Sequence, residues 1–378
     1  MANKGRLTTG IFCLFLAGLL AWHIALPDRA HSETENRTLA QFPDFSLETL
    51  KNGSFTEGME DYFADQFPLR DDWTGLKARC EQMLGKREFN GVYLCGDTLI
   101  AKVDEPDRLQ AEKNLDDVKQ FGEASHGRVL LGLIPSAAEV WKDRLPQGAP
   151  SFDQAAFIQN AAEKTGLPTV DLLGALTEHA GEPIYYRTDH HWTTDGGAYL
   201  AYQEYCRSLG LTPMEVSAGD FGQVPDFYGT TYSKCLRWDQ TPDTISYLDI
   251  PDQMTVWKTN ARGEATEPQF TSGLYEMEKA GTADKYSMFL YGNQGYVTIE
   301  GRGEGRVLVV KDSYANSFVP YLTENYAEIC VIDPRSYRNS IDALMQREQF
   351  DQVLLLFSFQ TYSTTNISSY LAASAGEG

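Results

Sequence analysis

Asp189, His191 and Ser313 are the residue types that, once brought together, let a hydroxyl attack a carbonyl. A serine hydroxyl is a weak nucleophile until a base takes its proton, and an imidazole base needs a third group to fix its tautomer. Two of the three lie in the stretch "IYYRTDHHWTTDGGAYLAY", Ile184 to Tyr202. In extended chain, alternate residues share a side, so Asp189 and His191 face one way and His190 the other. This makes Asp189 the orienter, His191 the base and Ser313 the nucleophile. His190 is then structural, and Trp192 packs beneath the loop. Two other readings stay open. Asp189, His190, His191 and Asp195 offer donors suited to zinc, iron or manganese, although no HExxH or CxxC spacing accompanies them. His23, His31, His126 and His179 show no ligand spacing to the pair either. Alternatively, both histidines hydrogen-bond within a turn. The reading carried forward uses no metal and no cofactor.

The position of Ser313 fits a nucleophile. The apolar run "RVLVV" (306–310) reads as a strand and ends in "KDSYANSF". In open α/β sheets, ligands sit beyond the carboxyl ends of the strands. A helix starting there would aim backbone N–H groups at an oxyanion. The competing role for Asp312 or Ser313 is simply to cap that helix.

The surrounding elements alternate. "GRVLLGLIPS" (127–136) reads as a buried strand, "LPTVDLLGAL" (167–176) as a short strand running into a helix, and "GGAYLAYQEYCRSLG" (196–210) as a helix. "GRVLVVKDSYANSFVPYL" (305–322), "AEICVIDPRSY" (327–337) and "FDQVLLLFSFQ" (350–360) continue the series. Short β-branched runs separated by helical patterns predict an α/β fold, a parallel sheet flanked by helices. Residues 213–303 are rich in Gly, Thr and Tyr and read as a β-rich insertion outside that winding. Upstream, a polar stem and helical segment occupies 31–110. Phe55, Met59, Tyr62 and Phe63, then Trp73, Leu76 and Cys80, recur at helical spacing, which predicts two amphipathic helices broken at Pro68 with their aromatic stripe packed inside. The α/β domain follows as 111–378.

With 378 residues, 42% hydrophobic and 22% charged, the chain can bury a large core. A net charge of −21 excludes a nucleic-acid partner, whose phosphates need a basic face. It also disfavours strongly anionic polymers over long range. Residues 1–30 place Lys4 and Arg6 before an apolar run from Thr8 to Leu26 of about nineteen residues. That is close to the roughly 20 a bilayer requires and longer than the roughly 7–15 of a secretory core. A membrane anchor retained through this N-terminal helix is therefore expected over a cleaved signal, with the rest of the chain outside. Of six cysteines, Cys13 lies in that run. Cys80 with Cys95, or Cys206 with Cys235, are possible pairs in an oxidising compartment, and free buried thiols are the expectation.

"TDHHWT" at 188–193, with "ENRTLAQFP" and "DYFADQFPLRD" upstream, resembles the DHHW protein family and, more distantly, the SGNH-hydrolase-like alginate O-acetyltransferases of the bacterial periplasm. The likeness runs from about residue 33 through most of the chain. It is strong at Asp-His-His-Trp and at Asp-Gln-Phe-Pro-x-Arg, and weaker at the serine. It implies an SGNH-hydrolase-like fold in which Asp189 and His191 precede Ser313 in a rearranged order. It further implies an extracytoplasmic O-acetyltransferase acting on a cell-surface polysaccharide through an acyl-serine intermediate, often beside a membrane-bound acyltransferase partner. The alternatives are a carbohydrate acetyl esterase and a non-catalytic glycan-binding or assembly protein of the same fold. Two features depart from the pattern. Lys311-Asp312-Ser313 stands where Gly-Asp-Ser is usual, and the Gly and Asn blocks of the oxyanion hole find no match. The amide of Tyr314 and the side chain of Asn316 are candidates in their place. Arg335 in "IDPRSY" follows another strand end and is expected either to bind acyl donor or sugar, or to make a surface salt bridge.

Overall fold

Arg306–Lys311 is apolar on both sides, as a strand must be when helices lie above and below it. In the computed structural model, which describes residues 2–125, 128–337, 339–367 and 371, Val307 and Val309 enter one core while Leu308 and Val310 enter another. His126 lies outside the described residues. Contacts divide the chain into two units, one of residues 1–86 and 233–239, the other of 87–232 and 240–378.

The first unit begins with α1 (Ala2–Ala25). Its Gly5–Ala25 stretch has mean hydropathy 1.9 and is, among the described residues, the one helix long and apolar enough to cross a membrane. Two short strands, β1 (His31–Ser32) and β2 (Arg37–Thr38), pair antiparallel, and α2 (Leu47–Lys51), α3 (Ser54–Asp65) and α4 (Arg70–Met83) follow. Pro68 does fall in the break between α3 and α4. The segments "ENRTLAQFP" and "DYFADQFPLRD" are knitted together. Arg37 donates to both oxygens of buried Asp65 at 2.8 and 2.5 Å, and the Ala40 amide adds 2.8 Å. The Gln66 amide donates to the carbonyls of Arg29 and Ala40 and accepts from the Arg29 N–H.

Arg37's paired hydrogen bond pulls the Asp65 carboxyl down to about 2, against the opposing effect of burial. A depressed carboxylate stabilises above its unfolded value near 4 and loses that contribution as pH falls towards 2. Asp65→Asn should therefore lower the denaturant midpoint at pH 7, and its deficit against the parent should close between about pH 4 and pH 2. An equal deficit at both pH values would remove the ion pair as the cause.

The aromatic stripe expected inside is not packed away. Phe55, Met59 and Tyr62 are half-buried, while Phe63, Trp73, Leu76 and Cys80 are exposed. Helical periodicity marks an apolar face without saying what covers it, and within this unit no sheet does.

The second unit opens with a three-stranded antiparallel sheet, β3 (Glu88–Phe89), β4 (Val92–Cys95) and β5 (Thr98–Ala101). The unit boundary thus falls after Lys86, ahead of the sequence boundary drawn at 110, because Tyr93, Cys95 and Ile100 join the main core. Next come α5 (Arg108–Ala124), β6 (Val129–Ile134), α6 (Ala137–Val140), α7 (Gln154–Thr165), α8 (Leu172–Glu178) and α9 (Tyr199–Leu209). "LPTVDLLGAL" contributes only a single parallel bridge, Leu131 to Thr169, before α8. After β7 (Phe221–Phe227), α10 (Thr230–Cys235) and β8 (Asp243–Leu248) come β9 (Gln253–Thr259), β10 (Ala265–Gly273) and β11 (Tyr296–Glu300). The remainder is β12 (Arg306–Lys311), β13 (Glu328–Ile332), α11 (Ile341–Arg347), β14 (Gln352–Ser358) and α12 (Phe359–Thr364).

The main sheet runs β10-β9-β11-β13-β12-β14-β6, and its β13-β12-β14-β6 half is parallel. One face carries α6, α8 and α9 through Ala137, Leu176 and Tyr205, and the other carries α5, α7 and α11 through Leu115, Ala161 and Leu344. Residues 213–303 are β-rich as expected, yet they do not stand apart from the sheet. β9 and β11 extend it by antiparallel pairing from β13, and β10 closes its edge; only β7 and β8 form a ribbon of their own.

The cysteines are free, with Cys95, Cys206, Cys235 and Cys330 buried and Cys13 and Cys80 exposed.

Candidate active site

Ser313 follows β12 at its carboxyl end, in a short 3-10 turn, Ser313–Ser317, whose cap is Asp312. Asp312 is buried and holds two strand ends together. Its Oδ1 accepts from the Tyr314 N–H at 3.0 Å, and its Oδ2 accepts from the Ser358 N–H and hydroxyl at 2.9 and 2.6 Å. The Tyr314 amide proposed for an oxyanion is therefore already engaged by the cap. Of the two residues weighed above as caps, Asp312 is the one that caps the turn, and Ser313 is its first residue.

The Asp-His-His-Trp motif lies in an irregular turn facing this end of the sheet. His191 Nδ1 lies 2.5 Å from Asp189 Oδ1, and its Nε2 lies 2.9 Å from Ser313 Oγ. The His191 N–H also donates to Asp189 Oδ1 at 3.0 Å, so the two side chains converge through a tight side-chain-to-backbone turn rather than by strand alternation. The other carboxylate oxygen accepts from the Thr230 N–H at 2.7 Å and the Thr230 hydroxyl at 2.9 Å. Burial would push the Asp189 carboxyl up, but the neighbouring imidazoles and these hydrogen bonds outweigh it and hold it well below the usual carboxylate range. An ionised carboxylate on Nδ1 leaves Nε2 as the basic nitrogen towards Ser313.

Three aromatic residues fix His191 and the serine turn. The Tyr286 ring stacks on His191 with centroids 3.8 Å apart and planes 11° from parallel, and its hydroxyl donates to the Ser313 carbonyl at 3.2 Å. Trp192, wholly buried, donates from Nε1 to the Tyr314 carbonyl at 2.9 Å and to Ser317 Oγ at 3.0 Å. The Tyr314 hydroxyl donates to the His190 carbonyl. The tryptophan thus ties the motif to the serine turn directly. Gly197 lets the chain after the motif press against it: a Cβ there would lie 2.4 Å from the Ile184 carbonyl oxygen and 2.7 Å from the Trp192 Cβ.

His190 is not a purely interior residue. Its Nδ1 lies 2.6 Å from Thr230 Oγ1, and the residue lines a cavity of about 150 Å³ together with Asp189, Ser313, Ser136, Arg335 and Gln360. That cavity sits over the carboxyl ends of β6, β12, β13 and β14, where the fold is expected to hold a ligand. Asp189, His190 and His191 also place one donor each within 4.8 Å of one another. Asp189 already accepts four hydrogen bonds through its two oxygens, and His190 Nδ1 is engaged by Thr230.

Arg335 lines the cavity and grips Asp333 with Nε at 2.8 Å and Nη2 at 2.5 Å; that partner is buried, so the ion pair is not the surface one weighed above. Asn316 is buried, not on a helix surface, and does not line the cavity. Its Nδ2 reaches the Gly292 carbonyl and Asn293 Oδ1 at 3.4 and 3.3 Å, and its Oδ1 has no partner among the described residues. Lys311, in the place of the usual glycine, has no left-handed backbone that would require one. Its buried ammonium lies 3.3 Å from Asp333 and 3.2 Å from Asn293.

Thr230, Gly229 and Tyr286 were missed by sequence reasoning, and no local pattern marks them. Gly229 is needed for closeness: a Cβ there would lie 2.2 Å from the Asp189 Cβ and 2.3 Å from its Oδ2. Gly229→Ala should push Asp189 off Thr230 and lower turnover of an acetyl ester by roughly ten- to a hundredfold, the cost of a small misplacement in a catalytic array. Unchanged turnover in a folded variant would mean that this contact positions nothing.

Residues 167–332 match the family model described as "DHHW protein", and residues 102–222 match "SGNH hydrolase-like domain, acetyltransferase AlgX". The probable alginate O-acetylase AlgJ of Pseudomonas fluorescens is 26% identical over 220 residues, 54% of this chain and 52% of that protein. The Pseudomonas syringae pv. tomato protein of the same name is 26% identical over 192 residues, 47% of this chain and 49% of that one. The chain spans about half the length of the curated relatives it matches. Among solved structures, a DHHW family protein from Eubacterium siraeum aligns with TM-score 0.64 and 24% identity over 75% of this chain and 97% of that one. Bacillus cereus PatB1, solved with a sulfonyl adduct, aligns with TM-score 0.58 and 18% identity over 74% of this chain and 98% of that one. The DHHW and SGNH-hydrolase-like resemblance, and the mixed α/β fold it implied, are those the chain carries.

Proposed function

We propose that the chain is an extracytoplasmic O-acetyltransferase that moves acetyl groups onto a cell-surface polysaccharide through an acyl-serine intermediate. The observation that carries this reading is the single imidazole joining Asp189 at 2.5 Å to Ser313 at 2.9 Å at the sheet's carboxyl edge. His191 Nε2 takes the Ser313 proton as Oγ attacks the acetyl carbonyl, then returns it to the leaving oxygen. In the second half, His191 deprotonates a sugar hydroxyl, which attacks the acyl-serine and frees Ser313. Asp189 stays ionised throughout and stabilises the imidazolium. With the Tyr314 amide engaged by Asp312, donors for the oxyanion fall to cavity-lining groups such as Ser136 and Gln360.

The relatives' printed names support polysaccharide O-acetylation. The acceptor we assign is a largely neutral or weakly charged glycan, because a body carrying −21 repels uronic polymers such as the one the relatives are named for. Retention by α1 would hold the enzyme at the membrane face, where a membrane-bound acyltransferase could supply acyl groups.

The test supplies an acetyl ester to the full chain in detergent, with neutral oligosaccharides, with oligouronates, or alone, and looks for acetylated sugar by mass spectrometry. Acetylated neutral sugar is expected. Free acetate alone across the acceptors would favour the esterase, and no turnover by folded protein would favour a glycan-binding role.

A further inference from the structure

The aromatic residues that the N-terminal unit leaves uncovered are connected to one another and to the end of α1. His23 lies 5.6 Å, ring to ring, from Tyr62 and 5.1 Å from Phe63. Tyr62 meets Phe42 at 5.4 Å, Phe42 meets Phe55 at 6.5 Å, and Phe55 meets Phe45 at 5.2 Å. The outer members stay open to solvent: Phe42 is 59% exposed, Phe45 63% and Phe63 44%. Contiguous exposed apolar patches of this kind mark contact surfaces.

The attachment of this cluster to α1 says what it meets. His23 Nδ1 lies 3.1 Å from the Gln66 carbonyl, and the residue is buried although the helix around it is bare. Just beyond the helix, Tyr62 donates to Asp28 at 2.9 Å and Arg29 pairs with Asp71 at 2.8 Å. His23 stands two residues before the helix end at Ala25, about 3 Å along the axis. Whatever depth the end of α1 occupies, Tyr62 and Phe63 must share it. If the apolar stretch spans a bilayer, its end lies where hydrocarbon gives way to headgroups, the zone that amphipathic aromatic side chains favour. Acidic Glu57, Glu60 and Asp61 on the same helix make an anionic leaflet a poor match, so insertion must be driven by apolar contact.

We propose that Phe42, Phe45, Phe55, Tyr62 and Phe63 form a collar seated in the headgroup layer of a zwitterionic lipid bilayer, at the depth set by His23. The collar rests on the proposal that α1 is a retained anchor, and it adds a second contact that fixes the unit's orientation at the membrane.

The experiment places single spin labels in the full chain, in a Cys13→Ser, Cys80→Ser background, reconstituted in phosphatidylcholine nanodiscs. The labels replace Phe45, Phe63, Leu14 within α1, and Leu109 as an exposed control in the second unit. Relaxation by oxygen, which partitions into lipid, is compared with relaxation by a water-soluble nickel chelate. At positions 45 and 63 the ratio should shift several-fold towards oxygen relative to 109, and less far than at 14. Labels at 45 and 63 that match 109 while 14 is lipid-immersed would overturn the collar and leave the anchor standing. Protection from both reagents would also overturn it, because a protein surface then covers the cluster. A water-exposed label at 14 would defeat the anchor and the collar together.

Discussion

His191→Ala should lower turnover of a chromogenic acetyl ester by roughly four to six orders of magnitude, and Ser313→Ala by a similar factor, because the members of such an array act as a unit. Removing the imidazole leaves Ser313 with no acceptor for its proton at 2.9 Å and leaves Asp189 with nothing to orient. For the same reason the double variant should be scarcely worse than either single one. His190→Ala loses the bond to Thr230, ring contacts with His191 and Tyr314 and a cavity wall, while Asp189, His191 and Ser313 keep their mutual hydrogen bonds. It should cost roughly tenfold, about the worth of one hydrogen bond. Steady-state kinetics on the four proteins, with circular dichroism to confirm folding, decides the matter. A dead but folded His190 variant beside an active His191 variant would reverse the assignment of the base, and strict additivity in the double would mean that the two residues do not share a step.

Asp333→Ala should destabilise the second unit by about 3–5 kcal/mol, since it strips the partner from a buried charge. Lys311 and Asp333 are 1% and 0% exposed on their side chains. Burial pulls the Lys311 ammonium below its ordinary range against the pull of Asp333. Burial opposes ionisation of Asp333 too, but Arg335's hydrogen bonds and the two cationic neighbours win and lower it. Without that carboxylate the ammonium keeps only Asn293, and Arg335 loses its anchor beside the cavity. Lys311→Met should cost far less, because it removes the charge together with its need for a partner while keeping the volume, and Arg335 still neutralises Asp333. The readout is the shift of the denaturant midpoint at constant slope. A larger loss for Lys311→Met than for Asp333→Ala would show that the lysine's packing matters more than its charge.

The sequence carried which residues meet at the candidate site further than it carried the reasons they meet. Ser313 was legible because an apolar strand followed by Asp-Ser is a strand end, whatever sits around it. The pairing of Asp189 with His191 was reached through strand alternation, whereas the chain there turns and the Asp189 side chain captures the His191 amide. The residue spacing serves both geometries, so it could not separate them. Tyr314 and Asn316 were beyond reach, since whether an amide is spent on a cap depends on where Ser358 brings its own strand. Thr230 and Tyr286 come from a segment whose composition says only that it is β-rich; one opens α10 between β7 and β8 and the other lies in a 3-10 turn between β10 and β11, and only the folded chain brings them to Asp189 and His191. The stripe at Phe55, Met59, Tyr62 and Phe63 had the right period and the wrong interior, because periodicity describes one face and not its partner.

Asp312 gives the site a dependence on the order in which the chain is made. Its Oδ2 accepts from the amide and hydroxyl of Ser358, the last residue of the last strand among the described residues. Until that strand docks beside β12, the turn that carries Ser313 lacks the tie through Asp312 and keeps only those from Trp192, Tyr286 and Tyr314. A chain emerging from its amino terminus has Asp189, His191 and Ser313 along its length before the residue that completes the Asp312 cap is made. The bonds from Asp312 to Ser358 therefore form only once the carboxyl-terminal strand has paired with β12.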